Sequence, residues 1–268
     1  MKHSVALFAL LWLTGCAIFG DPAPLDVTKG WNVQRIYSEA QAAMSARDYE
    51  KAISYFRILE SRYPHGRFAT QSQLEVIYAY HKKNEPPATI AAADRFIKLH
   101  PNHPNVDYAY YMRGLATFNE RGVVERLTKQ SISDRDPKSL RDSFFALKEV
   151  VTRYPESRYA KDATLRMAYL VNTLAAHELH VARYYMKRKA YVAALNRAKY
   201  TLETYPNSNS TEEALTIMIS AYDLLGIQDL KEDALRVLKT NYPDSRMLTN
   251  AAPTDQRVWW KFWESIYN

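Results

Sequence analysis

Cysteine is the rarest residue of this sequence and glycine is scarce, and each shortage excludes a class of structure. The only cysteine is Cys16, so no intrachain disulfide can form and no multi-cysteine metal site can be assembled. Glycine occurs 7 times in 268 residues, and no stretch alternates valine, isoleucine or threonine with polar residues as a half-buried strand would. An all-α chain follows. Signatures of catalysis are also missing, with no G-x-S-x-G, phosphate loop or dinucleotide fingerprint. His177-Glu178-Leu179-His180 resembles a zinc-protease helix only superficially, because its histidines stand three apart where that motif needs four. His100 and His103 flank a proline turn with no cysteine or acidic cluster nearby, so no metal is expected there. The chain reads as non-enzymatic and without a bound cofactor.

What is present is a helical hairpin written several times. In Ala40 to Pro64, small Ala40, Ala43 and Ala52 let two helices approach closely, and Ile53, Phe56 and Leu59 form the apolar stripe of the second helix. Arg47-Asp48 makes the turn, and Tyr63-Pro64 stops the second helix, since proline cannot donate the next backbone bond and its predecessor avoids the α region. The same terminator returns at Pro101, Pro155, Pro206 and Pro243, at separations of 37, 54, 51 and 37 residues. Two of these are near the roughly 34-residue tetratricopeptide period and two carry inserts. The expectation is an all-α, right-handed α-solenoid of about five tetratricopeptide-like hairpins over residues 31–245, with repeats ending near 64, 101, 155, 206 and 243 and no internal boundary. Within it, residues 159–188 lack glycine and proline and read as a helix about 45 Å long.

The N-terminus is a separate piece of chemistry. Lys2 and His3 precede the nine-residue apolar run Val5 to Leu13, which is too short to cross a bilayer, and Leu13-Thr14-Gly15-Cys16 follows directly. This resembles a bacterial lipoprotein signal: small residues let a peptidase close on the backbone, and the thiol of Cys16 takes a diacylglyceryl group, with a further N-acyl chain after cleavage. Residues 1–15 are then a signal peptide, and 16–30, with Gly20, Pro22, Pro24 and Gly30, a lipid-anchored tether. Ala17, rather than aspartate, after the cysteine implies the outer membrane of a Gram-negative cell, on its periplasmic face. The formal charge of +7 falls to +6 once Lys2 is removed. That compartment excludes nucleic acid, leaving an anionic surface, an acidic protein, or simple solvation of helix faces to explain the excess.

Arg95 to Leu115, RFIKLHPNHPNVDYAYYMRGL, is the most distinctive run. With Ile77-Tyr78-Ala79-Tyr80, Ser133 to Pro137 and Val192 to Arg197, it resembles the BamD family of outer membrane assembly lipoproteins, over roughly residues 13 to 245. The resemblance implies a component of the outer membrane β-barrel assembly (BAM) complex. Its partners would be the periplasmic domains of BamA, the other BAM lipoproteins, and the C-terminal segments of unfolded outer membrane proteins. It also implies that Arg197 pairs with an acidic residue of BamA; an arginine bonding within its own helix is the alternative. A pilotin-like lipoprotein serving a secretin, or a cell-wall hydrolase positioned by repeats, would share the anchor and the hairpins.

Candidates for a substrate-peptide groove are Tyr78, Tyr80, Tyr108, Tyr110, Tyr111, Arg113 and Arg135, since a phenol offers a flat apolar face and a hydroxyl at small entropic cost. Packing between helices is the alternative for each tyrosine. Asp136 suits an N-cap for a helix starting at Pro137. Residues 246–268 form a tail with three tryptophans in Val258 to Trp263, read as a capping helix, a partner-binding helix or an interfacial anchor.

Overall fold

The computed structural model describes residues 27–118 and 137–249. Cys16, Ser133 to Asp136 and the tryptophan run lie outside them, and so does Arg135. Every regular element among the described residues is helical. The helices are α1 (Val33–Ser45), α2 (Tyr49–Arg62), α3 (Arg67–Lys82), α4 (Pro86–Leu99), α5 (Val106–Thr117), α6 (Pro137–Arg153), α7 (Ala160–Lys187), α8 (Tyr191–Thr204), α9 (Thr211–Leu225), α10 (Gln228–Asn241) and the short α11 (Arg246–Thr249). None is long and apolar enough to cross a membrane.

Where one undivided array was expected, the helices form two compact units that divide within α3, between Ala79 and Tyr80. In an array whose repeats touch only their neighbours, a division interrupts little packing, and periodicity alone does not mark it. In the first unit α1 packs on α2. Asn32 caps α1 by accepting from the Arg35 amide at 2.9 Å, and Asp48 caps α2 by accepting from the Lys51 amide at 3.1 Å. The expected small residues and apolar stripe of this hairpin, Ala40, Ala43, Ala52, Ile53, Phe56 and Leu59, are all buried. In the second unit each helix from α4 to α10 packs on the next, and α9 also touches α7. This is the helical-hairpin array that the spacing predicts.

Two repeated backbone devices hold the hairpins in register. The first is the turn inside each tight hairpin, where Arg47, Asn84, Lys189 and Gly226 adopt the left-handed region at φ 60°, 57°, 61° and 73°. The amide of the following residue then reaches back to the carbonyl five before it: Asp48 to Ala43, Glu85 to Tyr80, Ala190 to Tyr185 and Ile227 to Tyr222, at 2.9–3.1 Å. These are Schellman closures, which satisfy carbonyls that a helix end otherwise leaves open. The second device is the terminator. Tyr63, His100, Tyr205 and Tyr242 all sit near φ −130°, each before a proline that cannot continue the helix. The carbonyls of His100, Tyr154, Tyr205 and Tyr242 accept from the amide three residues on, those of His103, Ser157, Ser208 and Ser245, turning the chain into the next helix.

One glycine is needed for contact. A Cβ at Gly114 would stand 2.6 Å from Leu147 Cδ2, and Ser143 Oγ donates to the Gly114 carbonyl at 3.1 Å, so α5 and α6 meet backbone to side chain here. That is the physical content of the glycine in the YMRGL run.

Candidate binding site

The candidate residues of the second unit fall into two clusters. In the first, α5 presents Tyr108 and Tyr111 on one face, three residues apart, and Tyr159 at the start of α7 covers them. Tyr111 stacks on Tyr159 with centroids 4.8 Å apart and planes within 17°, and Tyr108 tilts against the same ring at 5.7 Å. Tyr111 donates to Asp162 Oδ2 at 2.5 Å, and Arg166 Nε donates to the same oxygen at 2.6 Å. Burial, then the bond to Asp162, pushes the Tyr111 phenol up to about 12. Burial opposes ionisation of Asp162, but the bonds from Tyr111 and Arg166 outweigh it and hold its carboxyl below the usual range. Arg166 also lies over the Phe118 ring, 4.8 Å from its centroid, and lines a recess of about 220 Å³ with His81, Glu85 and Thr89. That volume is below the roughly 300 Å³ at which small-molecule sites begin, and suits one side chain of a longer ligand.

Tyr80 and Tyr110 are buried, at 8% and 6% exposure, so their rings serve packing, whereas Tyr108 and Tyr111 are half-buried. Tyr110 accepts from Arg153 Nη1 at 3.1 Å. Arg113 is held by Asp94 at 3.0 Å and, more closely, by Glu149. It braces α4, α5 and α6 rather than standing ready for a ligand. Tyr78 lies in the first unit, partly exposed. Among the described residues no group of three or more histidine, cysteine, aspartate and glutamate side chains is placed to hold a metal.

The second cluster is built around Arg197. Its Nη1 donates to Glu178 Oε2 at 2.9 Å. Glu178 belongs to α7, so this bond is not the one within Arg197's own helix that stood as the alternative. The carboxylate side chain is 9% exposed and the guanidinium side chain 45% exposed. One end of the pair is therefore sunk between two helices while the other faces outward. Close by, burial first, then Tyr200 and Glu178, pushes the Tyr205 phenol up to about 12.

Glu178 is the residue that sequence reasoning missed, because it was weighed only as part of a failed zinc motif. Aligning the hairpins by their terminators would have exposed it. Eight residues before the terminator stand Tyr55, Ala92, Ala146 and Ala234, and only in the fourth hairpin an arginine. Eleven residues before the left-handed turn residue stand Ile36, Gln73 and Leu215, and here Glu178. A carboxylate and a guanidinium have entered a seam that the first and fifth hairpins fill with apolar side chains. Buried charges are costly even when paired, so this exchange points to a role other than stability.

A family model described as "Outer membrane lipoprotein", YfiO, matches residues 31–238. An outer membrane protein assembly factor BamD from Neisseria meningitidis serogroup A is 46% identical over 255 residues, covering 94% of this chain and 96% of that protein. The chain belongs to the BamD family. The BamD of Vibrio cholerae is 37% identical over 244 residues, covering 90% of this chain and 99% of its own. Among solved structures, a MamA protein aligns at 15% identity over 80% of this chain and 97% of its own, with a TM-score of 0.33. The TPR domain of P58(IPK) aligns at 13% identity over 80% of this chain and 52% of its own, with a TM-score of 0.39. The family assignment rests on the BamD relatives, whose match runs from the first hairpin through the terminal one.

Proposed function

We propose that this chain is a non-enzymatic lipoprotein of the outer membrane β-barrel assembly machinery, acting as a scaffold for BamA and a receiver of unfolded outer membrane proteins. Acyl chains on Cys16 hold it to the periplasmic face of the outer membrane, where two or more chains make anchoring stable. The observation that carries the reading is the half-exposed Arg197 guanidinium, fixed from behind by the buried Glu178 carboxylate. Such a group is pre-oriented, so a second carboxylate from BamA can engage its outward edge with little ordering cost. The Tyr108–Tyr111–Tyr159 face and the recess beside Arg166 support the substrate role: an extended C-terminal segment can lay its chain on the phenols and set one side chain into the recess.

Affinity capture of the lipidated chain from detergent-solubilised membranes tests this directly. BamA and the other assembly lipoproteins are expected in the eluate, and Arg197→Glu with retained helicity is expected to reduce BamA recovery at least about tenfold. Recovery of a secretin instead, or BamA recovery unchanged by Arg197→Glu, overturns the assignment.

A further inference from the structure

The fifth hairpin leaves an apolar patch that its own packing does not use. Leu224 at the end of α9, Ile227 in the turn, and Leu230 and Val237 on α10 are 38%, 39%, 44% and 44% exposed. Leu230 and Val237 are seven residues apart and fall on one helix face, with Ile227 one turn before. The repeat frame does not require them. The position of Leu230, twelve residues before the terminator, is Lys51, Ala88, Asp142 and Ala193 in the earlier hairpins. The side of α10 that a sixth hairpin would cover is already polar, at Glu232 and Lys239, so further repeats are not what the patch awaits.

The chain itself supplies an occupant. Met247 and Leu248 pack against the core around Ala234 and Leu238, so the backbone passes Thr249 beside α10. Nine residues later comes Val258-Trp259-Trp260-Lys261-Phe262-Trp263. Nine residues can reach about 30 Å, and Leu230 to Val237 spans only about 10 Å of helix, so the whole patch is within range. Tryptophan side chains bury roughly 150–250 Å² each, and three in water at the end of a chain are a strong drive to find apolar surface. Lys261 is basic, and Asp229 and Asp233 are exposed along the flank of the patch. We propose that the Val258–Trp263 segment of the same chain docks on the face formed by Leu224, Ile227, Leu230 and Val237. This is a surface distinct from that of Arg197 and does not depend on the reading of it.

The test uses the mature chain with Cys16→Ser and Trp31→Phe, in which the remaining tryptophans, 259, 260 and 263, all lie in the tail. Their emission is expected to be blue-shifted and shielded. Leu230→Glu with Val237→Glu is expected to raise acrylamide quenching about twofold or more, with helicity unchanged. Solvent-exposed emission in the parent, or quenching unaltered by the two substitutions, overturns the proposal. Should the glutamates unfold the hairpin, cysteine trapping decides: in the same cysteine-free background, Leu230→Cys and Phe262→Cys should oxidise to an intrachain bridge. A cross-linked dimer, which would make a second copy the occupant, or no cross-link at all, overturns it equally.

Discussion

The fourth hairpin, α7 with α8, and the fifth, α9 with α10, are two versions of one frame. Both close on a left-handed turn residue, Lys189 or Gly226, and both end on a tyrosine before proline, Tyr205 or Tyr242. Aligned by those marks they differ at three places. The fourth puts Glu178 and Arg197 in the seam where the fifth has Leu215 and Ala234. The fourth also turns Leu195 and Leu202 toward the next hairpin, where they pack against the cluster of Leu215, Ile219 and Tyr222, whereas the fifth has Glu232 and Lys239 there. Finally, α7 runs 28 residues against 15 for α9. The difference teaches that a repeat array separates its duties by position: one hairpin carries a costly charge pair that its fold does not need, and the next gives up the apolar face that would continue the stack.

Breaking the charge pair should produce the largest effect. Arg197→Ala strands the Glu178 carboxylate and is expected to lower unfolding stability by about 2 kcal/mol, below the figure for a wholly buried pair because the arginine is nearly half exposed. Adding Glu178→Leu recreates the chemistry of the fifth hairpin, so denaturant melts of the double variant should recover most of that loss while BamA capture stays low. Equal losses of stability in single and double variants would mean that the pair is ordinary surface electrostatics. Converting the end of the array comes next. With Glu232→Leu and Lys239→Leu the fifth hairpin acquires the continuing face of the fourth, and sedimentation should detect concentration-dependent self-association at about 10 μM.

Exchanging the turns has a smaller effect. Nothing lies within 4 Å of a Cβ added at Gly226, so Gly226→Ala feels only the left-handed backbone and should cost about 1 kcal/mol. Lys189→Gly should gain roughly 0.5 kcal/mol by relieving the same strain, offset in part by unfolded-state entropy. The smallest effect concerns the raised phenol at Tyr205. A folded-state value near 12 against an ordinary 10 means that the neutral phenol stabilises the fold fully below pH 10, and that this contribution is lost as pH rises toward 12. Tyr205→Phe should therefore flatten the fall in melting temperature across that window, and an unchanged slope would remove the phenol from the account.

Much of the frame was legible in the residues. Proline positions gave the helix ends, because the restriction proline places on its predecessor is local and independent of surroundings. Ala40, Ala52, Phe56 and Leu59 announced their burial through helix periodicity for the same reason. Legibility failed where a side chain's role depends on what stands opposite. Tyr110 and Tyr111 are adjacent and chemically identical, yet one is buried beneath Arg153 and the other meets Asp162, 51 residues away.

Sequence by itself determined that this chain is a set of helical hairpins, where they stop, and to which family they belong, since backbone restriction and apolar period act over a few residues. Only the tertiary structure decided that Arg197 answers to Glu178, that Arg113 is a brace, and that the fifth hairpin presents a polar end. Those outcomes depend on which helix faces meet, and the energy of a charge is set by its depth and its opposite neighbour rather than by its place along the chain.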